Sequence, residues 1–276
     1  MLIQAALLQG TKLLEEGGIG APRLTAEVLL GHALQREREY LYGHSDETLP
    51  EVAWLHYGRY LHERLNGKPT QYITGRQEFY GRPFRVTPDV LIPRPETEHL
   101  IEASLARIQP GRTVLDVGTG SGAIAVTIAL ETKAQVFATD ISPAALCVAI
   151  GNARKLQAPV SFVAADLVEC FAAQSVDVLV SNPPYVPATD RPVLQREVRD
   201  FEPPVALFGG PTGLEIYERL IFAARRVLRP GGWLLMELGY NSVEPARGML
   251  GSGWTEISVA QDLAGLPRVL AAKWTP

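Results

Sequence analysis

One short stretch past the middle of the chain combines residue types that suit chemistry on a planar amino group. In DVLVSNPPYVP, residues 177–187, an apolar run ends in Asn182, Pro183, Pro184 and Tyr185. The apolar run predicts a buried strand, so these four residues lie at its tip. The side-chain carbonyl of Asn182 can accept one N–H of an NH₂ group, and the backbone carbonyl of Pro183 can accept the other. The proline rings lock φ and add no competing donors, and Tyr185 offers a flat face for packing against the planar group.

A planar NH₂ group needs this kind of help because its lone pair is delocalised into the attached π system. Attack on a sulfonium methyl requires the lone pair to point at the methyl carbon, in line with the departing sulfur. Two fixed acceptors hold the group in that orientation and favour the transition state, in which positive charge grows on nitrogen. We interpret the stretch as a clamp for a planar NH₂ group; the alternative is an ordinary polar turn after a strand.

A glycine-rich loop upstream predicts a site for an adenosine-containing cofactor. The sequence DVGTGSG, residues 116–122, follows an apolar run and opens a predicted helix. Glycines there let the backbone approach a ligand closely. Asp140 ends the next predicted strand, about 20 residues beyond the loop, where a carboxylate can accept hydrogen bonds from both hydroxyls of a ribose. The residues of the loop expected to contact the cofactor are Asp116, Gly118, Thr119, Gly120, Ser121 and Gly122.

The loop alone fits two classes of cofactor. Gly118, Gly120 and Ala123 also satisfy the dinucleotide fingerprint of nicotinamide-dependent reductases. Asp116 favours S-adenosylmethionine, since its negative charge suits the ammonium of a methionyl group and would repel a pyrophosphate. The Asn182 clamp favours the same cofactor because hydride transfer does not need it. S-adenosylmethionine is therefore the predicted cofactor, with a reductase as one alternative and a module that keeps this ligand for structural reasons as another.

The composition excludes several classes of function. The chain has 276 residues, of which 46% are hydrophobic and 20% charged, so it can bury a sizeable core. The formal net charge of −4 and the lack of a Lys/Arg-rich run count against direct nucleic-acid binding. No apolar run approaches the ~18 residues of a membrane span, so we expect a soluble, cytoplasmic protein with no membrane partner. The spacing of Cys147 and Cys170 matches no metal site, and both are interpreted as buried, reduced thiols.

The first part of the chain, residues 1–75, predicts a small helical domain. One helix spans Leu2–Glu16, a second is capped by Thr25, and a third is ended by Asn66 and Gly67. The next residues, 76–92, carry the sequence FYGRPF between two short extended runs and predict a β-hairpin linker.

The remainder, residues 93–276, predicts an α/β domain. Strands alternate with helices from residue 114 onward, which is typical of a doubly wound parallel sheet, and two closing strands are expected at Glu256–Ala260 and Arg268–Lys273. Ligands of such sheets bind beyond the carboxyl ends of the strands. Three of the candidate residues end predicted strands and are expected to meet in one crevice: Asp116, Asp140 and Asn182.

Five stretches of the chain carry a family resemblance: LIPRPETE, VLDVGTGSGAIAV, SNPPYV, FEPPVALFGGPTGLEIYERLI and DLAGLPRVLAAK. Together they resemble the HemK/PrmC family of S-adenosylmethionine-dependent protein methyltransferases. Members of this family modify the glutamine of the Gly-Gly-Gln motif in class I peptide chain release factors. The motif NPPY alone is shared with adenine-N6 DNA methyltransferases and guanine-N2 ribosomal RNA methyltransferases, so a base methyltransferase is the alternative. The combination with PRPETE and FEPPVALFGG favours the protein methyltransferases.

The resemblance implies a class I, Rossmann-like methyltransferase domain that acts on the N5 atom of glutamine, with a helical domain that recognises the release factor. It implies that Asn182 to Tyr185 hold the substrate glutamine, with Asn182 also close to the cofactor. The family places an Asp-Trp pair near the adenine, and this chain has Asp166 and Leu167 there. Leu167 can cover the adenine by apolar contact but without aromatic stacking. Arg94 falls in the loop that the family folds over the active site, where a substrate or cofactor contact and a structural salt bridge are both open.

Overall fold

The computed structural model describes residues 1–262 and 264–276 and divides them into two compact units. The first unit comprises Met1–Arg76 and Gln195–Phe201, and the second comprises Gln77–Leu194 and Glu202–Pro276. Leu263, within the DLAGLPRVLAAK stretch, lies outside the described residues.

Helices and strands are numbered in chain order. The helices are α1 (Ile3–Glu16), α2 (Pro22–Leu34), α3 (Arg38–Gly43), α4 (Glu51–Leu65), α5 (Thr70–Thr74), α6 (Glu98–Leu105), α7 (Ala123–Glu131), α8 (Pro143–Leu156), α9 (Arg196–Phe201), α10 (Pro204–Leu207), α11 (Glu215–Val227) and α12 (Val243–Leu250). The strands are β1 (Arg76–Phe79), β2 (Arg82–Arg85), β3 (Thr113–Val117), β4 (Gln135–Asp140), β5 (Val160–Ala164), β6 (Val176–Ser181), β7 (Val186–Pro187), β8 (Phe208–Gly210), β9 (Leu228–Glu237), β10 (Trp254–Gln261) and β11 (Pro267–Trp274). Short 3₁₀ turns span Pro95–Thr97 and Ala188–Val193.

The first unit is helical, as predicted, and one buried face of α1 shows why. Ile3, Leu7 and Leu14 recur at helical spacing and are all buried in one apolar cluster with residues of α2 and α4. Tyr57 of α4 lies directly over Gly10, where an added Cβ would be 1.9 Å from the tyrosine hydroxyl oxygen. The glycine therefore lets α1 and α4 approach closely.

Two details of this unit differ from the sequence analysis. The prediction that Thr25 caps the second helix is wrong, because α2 begins at Pro22 and Thr25 is buried inside it. Proline suits the first helical turn, where its missing N–H would have no partner and its fixed φ is already helical. Helix α9 also belongs to this unit, where Glu197 forms a 2.6 Å salt bridge with Arg64. The ends predicted for the first and third helices are confirmed to within a residue.

The predicted hairpin is formed by β1 and β2, which pair as a two-stranded sheet. Tyr80 and Gly81 at its turn both have positive φ, 50° and 69°, as a tight two-residue hairpin turn requires. Phe79 and Phe84 meet edge to face with ring centroids 6.1 Å apart and are fully buried. The backbone N–H of Arg85 donates to the side-chain oxygen of Asn152 on α8 at 2.8 Å, which fixes the second strand of the hairpin on this helix.

The α/β fold is confirmed by a sheet of seven strands among the described residues, in the order β10-β11-β9-β6-β3-β4-β5. The strands from β9 to β5 are parallel, and β11 is antiparallel to both of its neighbours. The chain proceeds from β3 outward to β4 and β5 and then returns to the other side of β3 with β6. This reversal creates a crevice between β3 and β6, where ligands of doubly wound sheets bind.

The register of the central strands determines which residues meet at the carboxyl edge of the sheet. Val117 at the end of β3 pairs with Thr139 of β4 on one side and with Ser181 of β6 on the other. Ser181 in turn pairs with Met236 of β9. The residues that follow these positions therefore lie side by side at one edge: Gly118, Asp140, Asn182 and Glu237.

The prediction that both cysteines are buried is wrong, since Cys147 and Cys170 are exposed. Cys147 lies on α8, whose buried face is set by Ala145, Leu146 and Ala149, and its side chain falls outside that stripe. Within the described ranges, no cluster of three or more His, Cys, Asp or Glu residues is arranged to hold a metal ion. No described helix combines the length and apolar character needed to cross a membrane.

Candidate active site

A cavity of about 290 Å³ opens at the carboxyl edge of the sheet, within the second unit. Most of the residues singled out in the sequence line it: Gly118, Thr119, Gly120, Ser121, Asp140, Asp166, Leu167, Asn182, Pro183 and Pro184. Three others are not part of this lining: Asp116, Gly122 and Tyr185. The glycine loop and the NPPY turn thus border one shared space.

The glycine loop folds back over the end of β4. The backbone N–H groups of Gly118 and Thr119 both donate to the carbonyl of Thr139, each at 2.9 Å. Gly118 and Gly120 have φ of +74° and +53°, and an added Cβ at either would meet no atom within 4 Å. The space beside these two glycines is therefore open to a ligand. Gly122 differs, because a Cβ there would lie 3.1 Å from the Cβ of Ala149; this contact gives Gly122 a packing role.

Asp140 is held at the rim of the cavity by two backbone groups. Its Oδ2 accepts the N–H of Gly120 at 2.8 Å, and its Oδ1 accepts the N–H of Ser142 at 2.9 Å. Ser142 also caps α8, accepting the N–H of Ala145 at 3.2 Å. Each carboxylate oxygen can accept a further hydrogen bond. Asp140 can therefore receive a pair of hydroxyl groups without rearranging.

Asp116 is fully buried beneath the glycine loop. Its Oδ2 accepts the hydroxyl of Thr119 at 2.6 Å and the N–H of Ala125 at 3.2 Å. Its Oδ1 is buried without a hydrogen-bond partner among the described residues. Burial raises the pKa of Asp116 to about 7, although the bonds from Thr119 and Ala125 act in the opposite direction. A buried carboxylate oxygen that lacks a partner is well suited to an incoming cation.

The far side of the cavity is formed by the residues after β5 and by α11. Asp166 is paired with Arg219 of α11, with 2.6 Å between Oδ2 and Nη2, and both residues line the cavity. Leu167 adopts a positive φ of 51°, and its carbonyl accepts the hydroxyl of Thr139 at 2.9 Å. Arg219 was not singled out from the sequence; its signal is a basic residue one turn into the helix that follows the glycine-rich GGPTG segment.

Asn182 belongs to a chain of side-chain hydrogen bonds. Its Nδ2 donates to the Thr97 hydroxyl oxygen at 3.2 Å, and the Thr97 hydroxyl donates to Oε2 of Glu237 at 2.6 Å. Asn182 and Glu237 are neighbours because they follow Ser181 and Met236, which pair in the sheet. Glu237 is almost fully buried, and this burial raises its pKa to about 7. Hydrogen bonds from Thr97 and Tyr185 oppose that rise.

Tyr185 supports the NPPY turn from behind. Its ring packs against Gly239, where an added Cβ would lie 2.7 Å from the ring atom Cδ2. Its hydroxyl donates to Oε1 of Glu237 at 3.4 Å. Burial raises the pKa of Tyr185 above its ordinary value. Direct packing of Tyr185 against a substrate therefore stays a prediction.

Two more glycines lie very close to the backbone of the NPPY turn. A Cβ at Gly209 would lie 2.5 Å from the carbonyl oxygen of Pro184, and a Cβ at Gly213 would lie 2.4 Å from that of Tyr185. These contacts accompany the pairing of β7 with β8. The FGGPTG segment thus supports the turn that carries Asn182.

Arg94 forms a salt bridge with Glu202, whose side chain is almost fully buried. Arg94 also lines the cavity, so the salt bridge does not remove it from the site. Neither Thr97 nor Glu237 was singled out from the sequence. The signal for Glu237 is an ionisable residue at the end of the apolar strand WLLME.

Known proteins match this chain over nearly its whole length. Residues 5–75 match the family model of the PrmC N-terminal domain, and residues 96–198 match that of the methyltransferase small domain. A release factor glutamine methyltransferase of Koribacter versatilis is 45% identical over 99% of each chain. The chain belongs to the release factor glutamine methyltransferase family. Another member of this family, from Moorella thermoacetica, is 42% identical over 99% of this chain and 98% of its own.

Solved structures show the same methyltransferase fold. The Mtq2–Trm112 complex of E. cuniculi, described as responsible for methylation of the eRF1 translation termination factor, is 27% identical. It aligns with a TM-score of 0.50 over 68% of this chain and 99% of its own. A methyltransferase from Pyrococcus furiosus, 18% identical, aligns with a TM-score of 0.55 over 71% of this chain and 90% of its own. The second likeness concerns the fold alone.

Proposed function

We propose that this protein transfers a methyl group from S-adenosylmethionine to the N5 atom of the glutamine in the Gly-Gly-Gln motif of class I peptide chain release factors. The observation that carries the proposal is that the Asn182-Pro183-Pro184 turn and the glycine loop line the same cavity, in a member of this family. One element suits a planar amide and the other suits an adenosine-containing cofactor.

The residues of the cavity fit S-adenosylmethionine. The unpartnered Oδ1 of Asp116 suits the ammonium of the methionyl group, and the open space beside Gly118 and Gly120 lets a ligand approach the backbone. Asp140 suits the ribose hydroxyls, and the apolar side chain of Leu167 suits one face of the adenine. When bound, S-adenosylmethionine supplies an electrophilic methyl group on a sulfonium sulfur.

The chain itself orients the amide that attacks. Oδ1 of Asn182 accepts one N–H of the substrate glutamine, and the backbone carbonyl of Pro183 accepts the other. With both N–H groups fixed, the nitrogen lone pair is directed across the cavity, and both acceptors stabilise the positive charge that grows on nitrogen. The proton is lost to solvent once the new bond has made it acidic, so this route needs no early general base.

The helical unit is the proposed recognition element for the release factor. Its match to the PrmC N-terminal domain supports this role. The same proposal divides the chain into a recognition domain at residues 1–75, a hairpin linker at 76–92 and the methyltransferase domain at 93–276. Release factors act in the cytoplasm, and that is the proposed location of this protein. No direct nucleic-acid binding is expected, because the net charge is −4.

The test is transfer of a labelled methyl group to a purified class I release factor. A matched substrate carries Ala in place of the Gln of Gly-Gly-Gln, and DNA and ribosomal RNA are offered in parallel reactions. Label on the intact factor only is the expected result. Label on either nucleic acid but on neither protein would support the base methyltransferase alternative and contradict the proposal.

A further inference from the structure

The direction in which the Asn182 amide faces decides whether the site can work. An amide presents an acceptor at one end and donors at the other. A substrate NH₂ group needs the acceptor, Oδ1, because an NH₂ group facing another NH₂ group leaves both without a partner. The orientation of such an amide is read from the hydrogen bonds around it. The network behind Asn182 is therefore part of the chemistry.

Thr97 sets this orientation because its hydroxyl has only one hydrogen. That hydrogen is committed to Oε2 of Glu237, in a buried bond of 2.6 Å. The oxygen of Thr97 can then only accept, and it accepts from Nδ2 of Asn182 at 3.2 Å. Oδ1 is left at the opposite end of the amide, on a side chain that lines the cavity.

We propose that Thr97 and Glu237 are positioning residues, and that ionised Glu237, acting through the Thr97 hydroxyl, holds Oδ1 of Asn182 toward the substrate amide. The inference rests on the proposed function for the identity of that amide. Neither residue touches the reacting atoms. Both act by fixing one of the two orientations of the Asn182 side chain.

Protonation of Glu237 removes this constraint. A carboxylic acid at Oε2 can donate to Thr97, which frees the Thr97 hydrogen to point at Asn182 and favours the reversed amide. Four ionisable groups act on Glu237 from the surrounding elements: Tyr185 after β6, Tyr217 on α11, Arg268 on β11 and Glu96 in the 3₁₀ turn before α6. Burial outweighs the lowering effect of Arg268 and leaves the pKa of Glu237 at about 7. The productive orientation is therefore held above that pH and lost as the pH falls through it.

The first test compares the wild type with Thr97→Val, Thr97→Ser and Glu237→Gln. Methylation of the release factor is followed at saturating S-adenosylmethionine, and kcat and KM are measured between roughly pH 5.5 and 8.5. For the wild type, kcat should fall on the acid side with an apparent pKa of about 7. Thr97→Val should lower kcat about tenfold at pH 8 with little change in KM, which is the effect of about 1.4 kcal/mol on the barrier. Thr97→Ser should restore kcat, and Glu237→Gln should abolish the acid limb.

The second test needs neither cofactor nor substrate. The side-chain NH₂ resonances of Asn182 are followed by ¹⁵N NMR in the cofactor-free protein and assigned by their loss in Asn182→Ala. They should shift with a midpoint at about pH 7 in the wild type and remain constant in Glu237→Gln. The NMR titration stays informative even if the wild type fails to methylate a release factor. Such a failure would count against the proposed function alone.

Two results would overturn the inference. One is a Thr97→Val enzyme with wild-type kcat and an unchanged acid limb. The other is a wild-type Asn182 resonance that does not move between roughly pH 5.5 and 8.5, which decides the matter even if a variant fails to fold. An acid limb that persists in Glu237→Gln would assign the titration to another group, such as Asp116, and would also contradict the role given to Glu237.

Discussion

Gly209 lies so close to Pro184 that a Cβ built on the glycine would be 2.5 Å from the proline carbonyl oxygen. Backbone atoms cannot yield as a flexible side chain can, so a methyl group at this position must displace the turn that carries Asn182. The FGGPTG segment is thereby tied to the proposed chemistry, although Gly209 itself is not part of the cavity lining.

Gly209→Ala should therefore lower kcat for release factor methylation by at least about tenfold, since positional errors near 1 Å are costly in catalysis. The affinity for S-adenosylmethionine should change little, because Gly118 and Asp140 are untouched. Steady-state kinetics and calorimetric titration measure the two quantities. Gly248→Ala is the matched control, since Gly248 has open space around its Cβ position. Equal kcat values for the two variants would show that the Gly209 contact is not needed.

Asp140→Ala should weaken S-adenosylmethionine binding by roughly 1–3 kcal/mol, the usual range for loss of a charged hydrogen-bonding partner. The change removes the acceptors for a ribose and also frees the N–H of Gly120, which Asp140 holds at 2.8 Å. Asp140→Asn keeps one acceptor oxygen and should give an intermediate affinity. Isothermal titration calorimetry on the three proteins measures the effect. Affinity that is unchanged in Asp140→Ala would place the ribose contact elsewhere.

The affinity for S-adenosylmethionine should also depend on pH through Asp116. Burial places the pKa of Asp116 at about 7 in the cofactor-free protein, and pairing with an ammonium favours the ionised form. Binding should therefore weaken as the pH falls from about 7.5 toward about 6. Binding should also release protons, because Asp116 is partly protonated in the cofactor-free protein and ionised in the complex. Titrations in buffers of different ionisation enthalpy report that proton release. Asp116→Asn should bind more weakly and lose this pH dependence; an Asn variant that binds as the wild type does would disprove the ammonium contact.

Leu167→Trp should tighten cofactor binding by about 0.5–1.5 kcal/mol, because an aromatic ring can stack on an adenine where leucine offers only apolar contact. The position lines the cavity and is only partly buried, so a larger side chain can be placed there. Phe222→Trp is a control of similar chemistry at a side chain that is 75% exposed and outside this lining. A gain of affinity in the control alone would exclude adenine stacking at Leu167.

The convergence of Asp140 and Asn182 could be predicted from sequence because both end strands of a parallel sheet. Their apolar runs mark the strands, and parallel strands present their carboxyl ends at one edge. The bond between Thr97 and Glu237 could not be predicted in this way, because it joins residues 140 positions apart. The bond and its link to Asn182 depend on the register of β6 with β9 and on the position of the 3₁₀ turn that ends at Thr97.

Side-chain direction was the other quantity that the sequence did not determine. Tyr185 follows the strand that ends at Ser181, and its ring packs on Gly239, where the lack of a Cβ leaves room for it. Cys147 is exposed because a helix buries one stripe, and the phase of α8 on the sheet decides which residues belong to it. Alternation of strands and helices determines the order of elements but not these local directions.

The most direct measurement of the central claim is the site and rate of methylation of a release factor by the wild type and by Asn182→Ala. Mass spectrometry of the digested factor locates the added methyl group, and single-turnover kinetics at saturating S-adenosylmethionine gives the rate. We expect one methyl group on the Gln of Gly-Gly-Gln and a rate for Asn182→Ala that is lower by roughly 10²-fold or more. Methylation at another residue, or equal rates for the two enzymes, would contradict the central claim.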